Sequence, residues 1–465
     1  METTFSILLS RYIDSLAINK AEFIRMSGID KSTFYKILNG TRVPTKKQFH
    51  SISSLLALSE NDNVELDKAY FSVVNGQQAA DSVSGVIKCL SALSKKEGAY
   101  IYEPLKETEF KEAEGRTYFP FSKFQNYFYQ ELDRKLSDEN AKMDVFMDSS
   151  CRQIFNLVIG LLIKHSDRKA QVRHLFQYPN NLRANQTPIL DSFAEEASII
   201  TDNLKFYEVW YYYSLGSASS SEGIFMPYGI VFEDELILFS SDGFIILKDA
   251  DVVKAAEEHF EKILGKSKRL LKYFDDIYSY TAAYKPLYGN LKDEWLSYHS
   301  SFCAMTLITE DMIKKYVPKE YLEFSKNYFE QTKGVKVKTE YLTLSGLEAF
   351  AKTGILDEIP SEISGALEKK DRALLLKKIL EKLGRKYFIV NSKFLPVTDG
   401  WNVYVINDQH VLISRDRSTR YIMIDEINIV NAFSVFMKNI YDTHLVMSLD
   451  EAKNVLQGFI DSCEK

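Results

Sequence analysis

The strongest constraint on the fold of this 465-residue chain lies between Lys20 and Pro44, where two short helical patterns flank the turn Ser27-Gly28-Ile29. Ala21, Phe23 and Ile24 mark the inner face of the first pattern, over residues 20–26, and Phe34 and Ile37 that of the second. The glycine between them accepts the positive φ that a tight interhelix turn demands. Asp30 is placed to cap a helix over Lys31–Leu38, Asn39-Gly40 to end it, and Pro44-Thr45 to open another running through Leu56. Upstream, Phe5, Leu8, Leu9, Tyr12, Ile13 and Leu16 line one face of a helix over residues 4–18, and residues 61–71 read as a fifth. Paired short helices joined by such a turn form a compact bundle that presents one of them outward.

Charge singles out the same stretch. From Lys20 to Lys47 the basic residues are Lys20, Arg25, Lys31, Lys36, Arg42, Lys46 and Lys47, against Glu22 and Asp30, in a chain of formal net charge −6. A basic face on an acidic protein is the electrostatic footprint of a DNA-reading module, and the overall acidity argues against a protein that coats nucleic acid along its length. A helical bundle with a solvated charged surface is the alternative. The run KAEFIRMSGIDKSTFYKILNGTRVP, residues 20–44, resembles the Cro-type, lambda-repressor-like DNA-binding domains of the Xre family, with that family's spacing at Ala21, Gly28, Ile29, Ser32, Thr33, Ile37, Asn39, Gly40 and Pro44. The resemblance covers residues 1–72 and implies an all-α helix-turn-helix domain whose third helix reads DNA. The first residues of a recognition helix reach base edges in the major groove. Here those are Lys31, Ser32 and Tyr35, with Lys36 one turn on. Lys20 and Arg42 match family positions that meet phosphates, contacts that position a domain without reading sequence. Phe34 and Ile37 are expected inside.

Residues 73–98 surround one apolar segment, 86–93, with small and polar residues, and read as a linker with a short helix. Beyond it the patterns alternate. Strands are expected at 143–147, 171–178 and 206–213, and two within 228–247 around Glu233-Asp234-Glu235 and a second turn at Asp242-Gly243. Helices are expected at 154–164, 194–204 and 251–264. FIILKDADVVKAAEEHF, from Phe244, then recurs as YIMIDEINIVNAFSVFM, from Tyr421. This aligns Asp249 with Glu426, Asp251 with Asn428, Val253 with Val430 and Ala255 with Ala432. A turn and strand precede each copy, EDELILF and NDQHVLI, and the strand at 207–213 answers to 386–390. The shared order predicts a duplicated α/β body with mixed sheets, its halves at 99–275 and 276–465. Two coincidental β-β-α units in one large domain are the alternative.

The order also resembles the closing section of phospholipase D-like halves, whose chemistry needs H-x-K-x-x-x-x-D in each. None of the seven histidines, His50, His165, His174, His259, His299, His410 and His444, is followed two places on by lysine. The resemblance therefore implies a scaffold without that nucleophile. Gly265-Lys266-Ser267 follows a helix instead of opening one and lacks the first glycine of a phosphate-binding loop. Asp144 and Asp148 bracket a strand and read as solvated strand-end acids, with a paired-carboxylate site as the alternative. Cys151 reads as a packed thiol, with proximity to His174 as the alternative. The cluster Lys266, Lys268, Arg269 and Lys272 has helical spacing and reads as a solvated face, with a second DNA contact as the alternative. The aromatic clusters at 118–128 and 207–213 read as core, with a small-molecule pocket as the alternative.

Cys89, Cys151, Cys303 and Cys463 form neither a C-x-x-C motif nor a disulfide ladder, which fits a reducing compartment. The opening METTFSILLSRYIDSL has no basic stretch leading into an apolar run and cleavage site, and no stretch reaches about 18 apolar residues. The expectation is thus a cytoplasmic, multidomain DNA-binding transcriptional regulator: a helix-turn-helix domain, then an α/β body that senses a small-molecule or protein effector, dimerises, or both. No catalytic residues, cofactor, metal site or membrane contact are expected. A double-stranded DNA operator and a second copy of the chain are the expected partners. A DNA-targeted nuclease or phosphodiesterase, and a protein-recruiting adaptor, are the alternatives.

Overall fold

The computed structural model describes residues 3–93, 117–118, 120–138, 140–147, 152–165, 170–179, 189–191, 193–194, 206–214, 226–274, 294–304, 306–332, 336–356, 364–391, 400–415, 421–443 and 445–465. Its N-terminal region is helical: α1 Thr4–Ser15, α2 Lys20–Ser27, α3 Lys31–Leu38, α4 Lys46–Leu56, α5 Glu60–Asn75 and α6 Gln77–Leu93. The starts of α1 to α5 have local causes. The Asn19 side chain accepts from two backbone N–H groups of α2, Asp30 accepts from Thr33, and Thr45 with Gln48 forms a reciprocal capping box on α4. Gly28 ends α2 in the left-handed region at φ 66°, and Gly40 follows α3 at φ 71°. One core binds α1 to α5, with Phe5, Leu9, Phe34, Ile37, Phe49 and Ile52 at its centre and Phe49 stacked on Tyr70 at 3.9 Å.

The chain divides into two compact units, one of residues 1–94 with 273–465 and the other of residues 95–272. Residues 77–93, where the sequence suggests a linker with a short helix, form a 17-residue helix that packs on α5.

In the unit of residues 95–272 the order is β1 Thr117–Tyr118, α7 Phe121–Leu136, β2 Lys142–Phe146, α8 Arg152–Lys164, β3 Gln171–Pro179, β4 Tyr207–Ser214, β5 Tyr228–Val231, β6 Leu236–Phe239, β7 Phe244–Leu247, α9 Ala250–Leu264 and β8 Lys268–Arg269. The sheet runs β1-β7-β6-β5-β2-β3-β4-β8. Strands β2, β3 and β4 are parallel; the other pairings are antiparallel. The span 228–247 holds three strands, not two, because Asp242-Gly243 closes a second hairpin after Glu233-Asp234-Glu235 closes the first. The basic residues of 266–272 do not share a helix face: α9 ends at Leu264, and Lys268, Arg269 and Lys272 fall on short strands. Most of the helix expected at 194–204 lies outside the described residues.

The second sheet is built from β9 Lys272–Phe274, β10 Glu294–His299, β11 Lys336–Thr343, β12 Tyr387–Val390, β13 Trp401–Ile406, β14 His410–Arg415 and β15 Tyr421–Ile424. Its helices are α10 Glu310–Tyr316, α11 Lys319–Thr332, α12 Leu344–Thr353, α13 Lys369–Glu381, α14 Ile427–Asn439 and α15 Leu449–Glu464. The strand order, β9-β15-β14-β13-β10-β11-β12, repeats that of the first sheet strand for strand from β1 through β4. Again the central three, β10, β11 and β12, are parallel. The helices that follow β7 and β15 are capped at aligned positions, by the Asp249 and Glu426 carboxylates. The protein is thus a helical region followed by an α/β body of two mixed sheets. Helices α12, α13 and α15 cover one face of the second sheet around Leu347, Phe350, Leu376 and Leu456. Helix α14 packs on β10, β13 and β14 and also on α6, and Tyr341 of β11 donates to the Met437 carbonyl of α14 at 2.9 Å.

Candidate nucleic-acid interface

Helix α3 divides its residues cleanly between core and solvent. Thr33, Phe34 and Ile37 are buried, whereas Lys31, Ser32, Tyr35 and Lys36 are exposed. Phe23 of α2 meets Phe34 at 5.7 Å and fixes α3 against α2 through the Gly28 turn. The four residues expected to contact bases therefore lie on one outward face. Neither Lys31 nor Lys36 is ion-paired among the described residues, so their charge is directed to solvent.

The two expected phosphate contacts are held by neighbours. Lys20 is ion-paired with Asp14 at 3.1 Å. The Arg42 guanidinium donates to the Thr33 hydroxyl at 3.1 Å, which holds it beside the start of α3. Hydrogen bonds from the Thr33 side chain and backbone, together with the Arg42 charge, hold the Asp30 carboxyl below the usual carboxylate range. The start of α3 is thus an ordered set of Asp30, Thr33 and Arg42, framed by free lysines.

Further exposed groups lie on α2 and just after α3: Met26 at 59% exposure and Val43 at 42%, which carry no sequence signal of their own, and Arg25 of the basic stretch. Apolar groups at such positions can touch a thymine methyl. Lys46 belongs to the same basic stretch but is otherwise engaged, its ammonium 4.1 Å from the Tyr441 ring centroid. On the same helix, burial and Lys46 push His50 below the ordinary histidine value, opposed by Glu451 of α15.

The other sequence candidates resolve into structural roles. Asp144 is gripped by Arg173 through two bonds of 2.7 and 2.6 Å, and Arg173 also reaches Glu261 at 2.7 Å. Burial raises the Asp144 carboxyl despite that partner. Asp148 and Cys151 lie outside the described residues. His174 is fully buried: one ring nitrogen donates to the Met147 carbonyl at 2.9 Å and the other accepts from the Tyr207 hydroxyl, while burial pushes its pKa down to about 3. Gly265 caps the end of α9, and Arg269 pairs with Glu208 at 2.9 Å. Tyr118, Phe121, Phe128 and Phe244 pack on one another as core. No helix among the described residues is long and apolar enough to cross a membrane.

No family model matches the chain, and no curated protein does. Among solved structures the chain is similar to TrmBL2, an archaeal chromatin protein described as showing a novel mode of DNA binding. The identity is 18%, the TM-score 0.24, and the match covers 36% of this chain and 58% of that one. It is also similar to the polyphosphate kinase of Porphyromonas gingivalis, at 9% identity and a TM-score of 0.21, over 72% of this chain and 54% of that one. The chain thus spans a little over half the length of each, and scores this low carry no assignment of activity.

Proposed function

We propose that this protein is a cytoplasmic DNA-binding transcriptional regulator, non-catalytic, that reads its operator through α3 as a homodimer. The observation that carries the reading is the outward face of α3, where Lys31, Ser32, Tyr35 and Lys36 stand exposed over a buried Phe34 and Ile37. Lysine reads guanine O6 and N7, tyrosine donates one hydrogen bond, and the flanking Lys20 and Arg42 meet phosphates. A single helix-turn-helix covers few base pairs, so a two-fold operator calls for a two-fold protein.

The α/β body supplies dimerisation, effector sensing, or both. Contacts between α6 and α14 and between Lys46 and Tyr441, with the Glu451 charge acting on His50, support a linkage mechanism. An effector that binds two arrangements of the second half unequally shifts the population of the DNA-competent state.

Salt-titrated binding to specific and scrambled duplexes tests the reading. Lys36→Ala should lose discrimination worth about 1–3 kcal/mol, and Arg42→Ala should weaken both duplexes and lower the salt slope by about one unit. Parent-like binding by both variants would sink the DNA-reading role. A monomeric parent by light scattering, with full operator affinity, would remove the dimer.

A further inference from the structure

Outside the α3 face, the described residues hold one buried set of metal-ligating side chains: His299 at the end of β10, Cys303 in the loop after it, and Glu340 in the middle of β11. Their donor atoms all lie within 4.8 Å of one another, and each residue is 1% exposed. The fold dictates this meeting. In the parallel pairing of β10 and β11, Ser297 is the register partner of Glu340 and His299 of Leu342, so the His299 and Glu340 side chains share a face of the sheet. The chain then turns back at Ser300-Ser301, where Thr343 donates to the Ser300 carbonyl at 2.5 Å. That turn carries Cys303 over the same face.

The polar accounting is incomplete at two neighbouring atoms. Glu340 Oε1 accepts from the Thr306 hydroxyl at 2.8 Å and faces the Lys386 ammonium at 3.2 Å. Glu340 Oε2 is buried with no hydrogen-bond partner, and so is the hydroxyl of its register neighbour Ser297. Burying a carboxylate oxygen unpaired is costly, and native interiors seldom leave one so. A cation beside Oε2 supplies what is missing.

We propose that His299, Cys303 and Glu340 form a binding site for a divalent transition metal, zinc by preference. Imidazole, thiolate and carboxylate together are the donor set of a borderline-soft cation, whereas magnesium and calcium take oxygen alone. The site is closed to solvent, so the metal is structural: it staples the turn that carries Cys303 to β11 and places a charge inside the second half. Binding deprotonates Cys303 and releases that proton to solvent. The inference does not depend on DNA binding by α3.

The test uses full-length protein stripped with a chelator and titrated with Co2+, then Zn2+. One equivalent of Co2+ should bind and give thiolate-to-cobalt charge-transfer absorption, which Zn2+ abolishes by displacement. The absorption should persist in a triple variant, Cys89→Ser with Cys151→Ser and Cys463→Ser, and vanish in Cys303→Ser. Glu340→Gln should weaken Zn2+ binding at least about tenfold. A folded parent that takes up no Co2+, a silent triple variant, or charge transfer that survives Cys303→Ser would each overturn the site. Should Cys303→Ser fail to fold, the parent, the triple variant and Glu340→Gln still decide.

Discussion

His174 in the first half and Glu340 in the second occupy the same position of the duplicated sheet and solve the problem of a buried polar group in opposite ways. The repeat aligns Glu233 with Asn407, hence Val231 with Val405. Val231 pairs with Asp144, which pairs with Arg173; Val405 pairs with Leu296, which pairs with Thr339. The next residues on β3 and β11 are His174 and Glu340. By the same count Met147 answers to His299, and Cys151 to Cys303. In the first half the position is sealed, with both imidazole nitrogens bonded and the ring neutral. In the second half one carboxylate oxygen is left over, beside a histidine and a cysteine. The two halves share one strand order and differ in the chemistry at this position.

The largest effect expected from this comparison is at Gly346, in the first turn of α12. A Cβ there would lie 2.5 Å from the Ser300 carbonyl oxygen and 2.8 Å from the Ser301 Cα, both backbone atoms of the turn that carries Cys303. Gly346→Ala should cost about 3 kcal/mol in urea unfolding, and a near-neutral result would show that the turn is not tightly held.

Next are the tyrosines beside each site. Tyr207→Phe leaves a buried nitrogen of His174 without its donor and should cost about 2 kcal/mol. Tyr387→Phe should cost about 1 kcal/mol, because Thr306 still donates to Glu340. Equal losses would erase the distinction between a site whose polar atoms are all bonded and one with an atom left over.

A sealed neutral histidine also sets a pH dependence. His174 titrates at about 3 when folded, against 6.5 as its ordinary value. Above the ordinary value both states are neutral and its contribution is fully present. As pH falls from there toward 3, only the unfolded chain takes up the proton, and stability drops by about 1.4 kcal/mol per unit. Unfolding midpoints between pH 7 and 4.5 should show this slope, reduced in His174→Gln. An unchanged slope in that variant would assign the acid lability elsewhere.

The smallest effect contrasts Gly346 with Gly28. A Cβ at Gly28 meets nothing within 4 Å, so Gly28→Ala pays only for the left-handed backbone at φ 66°, about 1 kcal/mol, read as a modest drop in Tm. A loss as large as at Gly346 would mean that the turn before α3 is packed as tightly as the one before Cys303.

Legibility in the sequence follows the range of the forces involved. Helices α2 to α4 could be read almost to the residue, because Asp30, Thr45, Gly28 and Gly40 act on groups within a few positions of themselves, whereas α1 stops at Ser15 instead of residue 18 and α5 runs on to Asn75 instead of residue 71. The exposed set Lys31, Ser32, Tyr35 and Lys36 followed from the same 3.6-residue period that buries Phe34 and Ile37. The turn before the third strand of 228–247, Asp242-Gly243, was legible, but the strand itself spans only Phe244–Leu247, too few residues for an alternation to set it apart. The helical spacing of Lys266, Lys268, Arg269 and Lys272 misled because Gly265 had already ended the helix. Arg173 as the partner of Asp144 had no local signal, since that bond joins neighbouring strands.

The sequence by itself determined the helical N-terminal region with its basic outward face, the alternation of helix and strand, and the duplication, since each is written in local spacing or in repetition. Only the tertiary structure decided which buried polar groups are satisfied. His299 and Cys303 lie 37 or more positions from Glu340 along the chain, and no spacing rule joins them. They meet because β10 and β11 pair in parallel with Ser297 against Glu340, a register fixed by side chains packed across the whole sheet.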